Sequence, residues 1–165
     1  MSARESSRNE EGVFEPFSSD EPVWNDYGKG NRFGVRYKEL GRFGGSSNLG
    51  VCMEIIEPGK QAYPQHYHML EEEHLMVMEG ELTLMLGEKR YLMKSGDYVC
   101  FPAGQKVGHA IFNHSEEPCR YLVIGETNPH DVIVFPESNR VSVRLTEEGY
   151  NKSQTMDYWE DMDLG

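Results

Sequence analysis

GKQAYPQHYHMLEEEHLMVMEG, residues 59–80, is the stretch from which the rest of the chain is read. His66 and His68 stand two apart. In a strand, residues i and i+2 share a face, so the two imidazoles lie side by side in a chelating arrangement. Such a pair also occurs on solvated faces, so it needs further donors to mean anything. Three carboxylates follow, Glu71, Glu72 and Glu73. If a strand runs from Glu73 to Glu79, Leu75 and Val77 share the face of Glu73 and carry it inward. Glu71 and Glu72 compete for the same role, and otherwise form a solvated loop.

A second stretch, GDYVCFPAGQKVGHAIFN, spans residues 96–113. Gly96 and the Pro102-Ala103-Gly104 turn bracket one strand. His109 opens the next and shares a face with Ile111 and Asn113. Three imidazoles and one carboxylate suit a divalent transition metal, Zn, Fe, Mn or Ni. That set leaves one or two positions open for water or substrate, as catalytic rather than structural sites do.

Around these stretches the chain alternates short β-rich runs with turns. Runs fall at 33–40, 49–57, 74–79, 81–86, 89–93, 97–101, 108–113, 119–125 and 131–135. Turn signals include Pro58-Gly59, Glu79-Gly80, Gly87-Glu88 and Ser95-Gly96. The spacing predicts an all-β sandwich or barrel. Leu82, Leu84 and Leu86 alternate with Glu81, Thr83 and Met85, which predicts a strand covered on both faces. Met53, Ile55, Tyr63, Tyr98, Phe101, Asn113 and Tyr121 are placed as candidates to line the barrel. The best helical segment is 154–161. The remaining histidines, His74, His114 and His130, read as surface groups.

Composition sets the outer bounds. The chain has 165 residues, 28 acidic and 16 basic, for a net charge of −12. One domain is expected at this length. A nucleic-acid partner is disfavoured by the charge, and so is an anionic membrane surface. No apolar run approaches the ~20 residues of a spanning helix. The start, MSARESSRNE, lacks a secretory core. Cys52, Cys100 and Cys119 are odd in number and widely spaced, which argues against a disulfide framework and for a cytoplasmic setting. Three segments are expected: an acidic N-terminal strap at 1–30, a barrel at 31–136 and an acidic C-terminal segment at 137–165. Phe14, Phe17, Val23, Trp24 and Tyr27 are the strap's candidate anchors.

The two stretches resemble the paired motifs of the cupin superfamily. His66-Tyr67-His68, four residues, Glu73, six residues and Gly80 match the first motif, and this match selects Glu73 over its neighbours. Gly96, Pro102-Ala103-Gly104, His109 and Asn113 match the second. The gaps before His66 and before His109 are each longer than usual, which alters loops and leaves the ligand types intact. The chain is most similar to small single-domain bacterial members, some of them assigned as sugar-phosphate isomerases. The resemblance implies a double-stranded β-helix, a jelly-roll barrel with extended ends, commonly a homodimer. It implies one divalent metal held by His66, His68, Glu73 and His109, and a small polar substrate. The expected chemistry is isomerase, lyase or dioxygenase chemistry, with no catalytic residue singled out. The alternative is a non-catalytic module that binds a metal or small ligand. Lys60, Lys106 and Arg120 form no phosphate clamp that the spacing reveals.

Overall fold

The computed structural model describes residues 4–163. Residues 1–3 and 164–165, the outer ends of the two expected terminal segments, lie outside that range. In chain order the strands are β1 (Asn25–Lys29), β2 (Phe33–Glu39), β3 (Leu49–Ile56), β4 (Tyr67–His68), β5 (Glu73–Glu79), β6 (Glu81–Leu86) and β7 (Lys89–Lys94). They continue with β8 (Tyr98–Phe101), β9 (His109–Phe112), β10 (Cys119–Glu126), β11 (Val132–Phe135), β12 (Arg140–Val143) and β13 (Glu148–Asn151). One short helix, α1 (Leu40–Phe43), follows β2. No helix among the described residues is long and apolar enough to cross a membrane.

The strands form a six-stranded sheet ordered β1-β2-β3-β10-β5-β8, a four-stranded sheet β13-β12-β11-β4 and a three-stranded sheet β7-β6-β9. All named strand pairs are antiparallel. The sheets wrap one core as a double-stranded β-helix. Its centre is Ile56, Leu75, Val77, Leu82, Leu84, Ile111 and Tyr121. Period-two alternation sends Leu75 and Val77 inward while Met76 and Met78 stay exposed. On β6, Leu82 and Leu84 are buried and Glu81, Thr83 and Met85 are only half covered.

Gly80 makes the tight turn between β5 and β6. Its φ is +82°, and a Cβ there would lie 3.0 Å from the Pro118 carbonyl oxygen. Only glycine meets both conditions without strain.

Several expectations are corrected. On β3 the inward residues are Glu54 and Ile56, so Met53 and Ile55 face the other side. The register pairs Glu54 with Tyr121, which is fully buried, and this fixes the parity. Tyr98 is 59% exposed and lines nothing inside. Asn113 is buried, but its amide donates to the Ile56 and Glu117 carbonyls at 2.9 and 2.8 Å and ties a loop instead. The segment 154–161 is not helical. A 3-10 turn at Lys152–Gln154 is followed by irregular chain. Met156, Tyr158 and Trp159 stay exposed there, so no packed apolar face stabilises a helix.

The N-terminal segment is pinned by aromatic contacts. The Phe17 ring lies 4.8 Å from that of Phe43, and Tyr27 lies 5.2 Å from Tyr63. The Lys38 ammonium sits 4.6 Å above the Trp24 ring and donates to the Ser19 carbonyl.

Candidate metal centre

The geometry starts at β4, only two residues long, which pairs with β11. His66 precedes it and bridges to His109 on β9 through reciprocal backbone hydrogen bonds of 3.0 and 2.7 Å. This bridge brings the first and second histidine stretches together. The ring centroids of His66 and His68 are 5.1 Å apart, and those of His66 and His109 are 4.6 Å apart. Glu73 enters from the start of β5.

Each ring is oriented by a contact on its outer side. His66 Nδ1 donates to the Pro64 carbonyl at 2.8 Å. A carbonyl can only accept, so Nδ1 carries the proton and Nε2 keeps its lone pair. His68 Nδ1 donates to Asp131 Oδ2 at 2.6 Å, which turns its Nε2 to 3.6 Å from Glu73 Oε2. His109 stacks on Phe101 with centroids 3.7 Å apart and planes within 7°. Its Nε2 is 3.7 Å from Glu73 Oε1 and is buried with no hydrogen-bond partner among the described residues. A buried polar atom without a partner is costly. An electron-pair acceptor would satisfy it, and a divalent ion fits that requirement and this donor set.

His66, His68 and Glu73 each place a donor atom within 4.8 Å of the others; His109 is not part of that close set and meets it through Glu73, at 3.7 Å. Burial pushes His66 down to about 4, and the neighbouring His109 adds to the effect, so the ring is neutral and able to donate. Burial pushes the Glu73 carboxyl up, but the His109 ring beside it and the other two imidazoles outweigh that and hold it below its ordinary value.

Behind His68 lies a second layer of charge. Asp131 is fully buried and also accepts the Leu70 N–H at 2.9 Å. Burial raises its carboxyl, but the His68 bond and the Leu70 N–H bring it below the ordinary value. Glu71 is 5% exposed, not a solvated loop residue as expected. Arg144, from the short turn after β12, grips it through two bonds, one of them 2.8 Å. The Asn128 N–H also donates to it. Glu72 lies outside, where its carboxylate meets His74 Nε2 at 2.9 Å. The other His74 nitrogen bonds the Tyr98 hydroxyl, so that imidazole is satisfied within the protein.

The donor groups open into a cavity of about 470 Å3. Leu75, Phe101, Ile111, Val123, Ile133 and Phe135 supply apolar wall. Tyr27, Glu54, Tyr63 and Tyr121 supply polar wall, and Arg140 and Arg144 the cationic groups. Lys60, Lys106 and Arg120 are absent from this wall. Arg140 lies 4.6 Å above the Phe135 ring and has no carboxylate partner among the described residues. Sequence reasoning missed Glu54, Asp131, Arg140 and Arg144. For Glu54 the missed signal was strand parity; for the others, lying beyond the paired stretches, spacing carried no signal.

Residues 52–125 match the family described as Cupin domain. A candidate sugar phosphate isomerase from Acidithiobacillus ferrooxidans is 30% identical, with a TM-score of 0.71 over 75% of this chain and 80% of that one. A sugar phosphate isomerase of a cupin superfamily from Silicibacter pomeroyi is 27% identical, with a TM-score of 0.76 over 86% of this chain and 95% of that one. Quercetin 2,3-dioxygenase of Bacillus subtilis is 32% identical over 100 residues, 54% of this chain. The chain spans only 30% of that relative's length.

Proposed function

The chain belongs to the cupin superfamily, and from that premise we propose that it is a metal-dependent enzyme acting on a small polar substrate, with sugar-phosphate isomerisation as its reaction. His66, His68, Glu73 and His109 would hold the ion. The observation that carries this reading is the unpartnered, buried Nε2 of His109 facing the Glu73 carboxylate. A bound divalent ion supplies Lewis acidity toward a carbonyl oxygen. The chain's own residues do the rest. The Pro64 carbonyl and Asp131 fix two ring orientations before any ligand arrives. Phe101, Ile133 and Phe135 set apolar wall beside the donor groups, and a low local dielectric strengthens charge interactions. Arg140 stands at the wall above the Phe135 ring, its guanidinium without a carboxylate partner among the described residues and suited to bidentate contact with a phosphate. Two relatives similar over most of their lengths, one named as a sugar phosphate isomerase and one as a candidate for that activity, favour this substrate class.

A second reading, oxygenation of an aromatic substrate, is favoured by the apolar share of the cavity wall and by the dioxygenase relative. Elemental analysis of protein purified without chelator or affinity metal tests both. About one equivalent of Zn, Mn, Ni or Fe per chain is expected. Aldose–ketose conversion of sugar phosphates, lost on chelation and restored by metal, supports the first reading. Oxygen consumption with a flavonol supports the second. Absence of metal, with none taken up on addition, refutes both and leaves a binding barrel. A cytoplasmic homodimer belongs to the same proposal, and sedimentation of the purified protein checks the oligomeric state.

A further inference from the structure

Glu54 is a buried carboxylate on the cavity wall that the metal centre does not use. It is 5% exposed and projects from β3 into the same cavity as His66, His68 and Glu73. No cation pairs with it among the described residues. Two hydroxyls serve it instead. Tyr121 donates to Oε2 at 2.6 Å from the neighbouring strand β10. Tyr63 donates to Oε1 at 3.3 Å, a long bond. Tyr63 is itself only half-buried and is backed by Tyr27 at 5.2 Å. A buried carboxylate normally has a cation or several donors, because its desolvation is expensive. Here Oε2 is well satisfied and Oε1 is not.

Other groups add to the pattern. Leu75, Ile111 and Val123 add apolar wall to the same cavity, and no hydrogen bond to Glu54 beyond the two tyrosines occurs among the described residues. Burial pushes the Glu54 carboxyl up to about 7, with the Glu73 charge adding to the effect and the two tyrosine bonds opposing it. Near neutral pH it therefore exchanges easily between accepting and donating. A hydroxyl, which does both, is the ligand group that suits either form.

We propose that Glu54, with Tyr63 beside it, is the specificity-determining residue of the cavity, binding a hydroxyl of a polyhydroxy ligand whose other end reaches the His66, His68, Glu73 and His109 groups. This rests on the sugar-phosphate reading and adds to it a rule of selection. The ligand must carry a hydroxyl remote from its metal-facing end. An analogue lacking that hydroxyl leaves Oε1 unserved on entry and is rejected. Sites built to bond a substrate hydroxyl reject analogues without one far more strongly than apolar pockets reject an extra methylene.

The test measures binding and needs no turnover. Zinc-loaded wild-type protein is titrated with glucose 6-phosphate, fructose 6-phosphate and their monodeoxy analogues, and with quercetin. The same series is run on Glu54→Gln, which can still accept from Tyr121. It is also run on the Glu54→Leu, Tyr121→Phe double variant, which removes both partners of the short bond together and leaves unserved only the Tyr63 hydroxyl, which faces the open cavity. In the wild type, one deoxy position should weaken binding by on the order of 100-fold or more. In both variants that preference should collapse to within a few-fold. The same preference in wild type and variants overturns the Glu54 role and leaves the sugar-phosphate reading intact. No binding of any sugar phosphate to the wild type overturns both. Binding of quercetin alone overturns the sugar-phosphate reading, and the role with it.

Discussion

Replacing Asp131 with asparagine keeps the side chain's size and removes its charge. Asp131 accepts two hydrogen bonds, from His68 Nδ1 at 2.6 Å and from the Leu70 N–H at 2.9 Å. Asparagine has one acceptor oxygen. If that oxygen serves Leu70, the amide NH2 faces His68 Nδ1 and forces its proton onto Nε2, the atom needed as a donor. If it serves His68, two N–H groups oppose each other at Leu70. Hydrogen bonds to an ionised partner contribute about 1.5–3 kcal/mol each. Losing one should lower the melting temperature of the metal-free protein by roughly 3–12 °C for a chain of this size. Metal affinity should fall about 10–100-fold, as it does when the carboxylate behind a ligating histidine is lost, or ~1.4–2.8 kcal/mol. The assay is a chelator-competition titration with Zn2+ on the wild type, Asp131→Asn and the exposed control His130→Ala. The folded Asp131 lies below its ordinary value, so its contribution is present above that value and is lost as the pH falls through the lower one. The melting curves of wild type and Asp131→Asn should therefore converge in acid. A Zn2+ affinity within twofold of wild type would show that Asp131 does not set the donor geometry of His68.

Glu73→Gln should abolish tight metal binding while Glu72→Gln keeps one equivalent, measured by elemental analysis after dialysis; the reverse order would mean that the β5 register is misassigned. Glu54 is held at about 7 against an ordinary 4.5, so between those values the folded chain keeps a proton that the unfolded chain has released. Stability then falls as the pH rises through that window. In metal-free protein, Glu54→Gln should gain on the wild type by up to about 3 kcal/mol between pH 5 and 8, and a pH-independent difference would contradict this. Gly80→Ala should cost more than about 1 kcal/mol in urea unfolding, because its positive φ and the nearby Pro118 carbonyl both resist a methyl group; a neutral result would mean that the turn relaxes freely.

The nine strands placed from sequence all exist, because apolar alternation closed by glycine turns is a local signal. Strands β1, β4, β12 and β13 escaped it. β1 and β13 are exposed and do not alternate, β4 has only two residues, and β12 alternates only over four residues, Arg140 to Val143. The four candidate donor residues were placed by motif, and the His66–His109 bridge is what brings the two distant stretches that carry them side by side. What supports them was not legible. Asp131 stands at the head of the run placed at 131–135, where a single leading acid gives no sign of burial, and Arg144 lies in an acidic segment with no pattern of its own. Glu54 was hidden by parity: a strand with apolar residues at 53 and 55 reads most simply with those inward, and the buried hydroxyl of Tyr121 reverses the choice.

The grip of Arg144 on Glu71 has a consequence for where the working unit ends. The family match stops at residue 125, and the barrel's strand pattern in the sequence stops near 136. A chain cut at residue 136 would keep all four candidate donors and Asp131. It would also keep Glu71 at the back of His68, now a buried carboxylate stripped of its cation and pressing negative charge against Asp131. The smallest fragment able to hold the site in its present shape therefore runs to at least residue 144. Residues past 136 supply counter-charge through Arg144 and extend one of the sheets through β12 and β13.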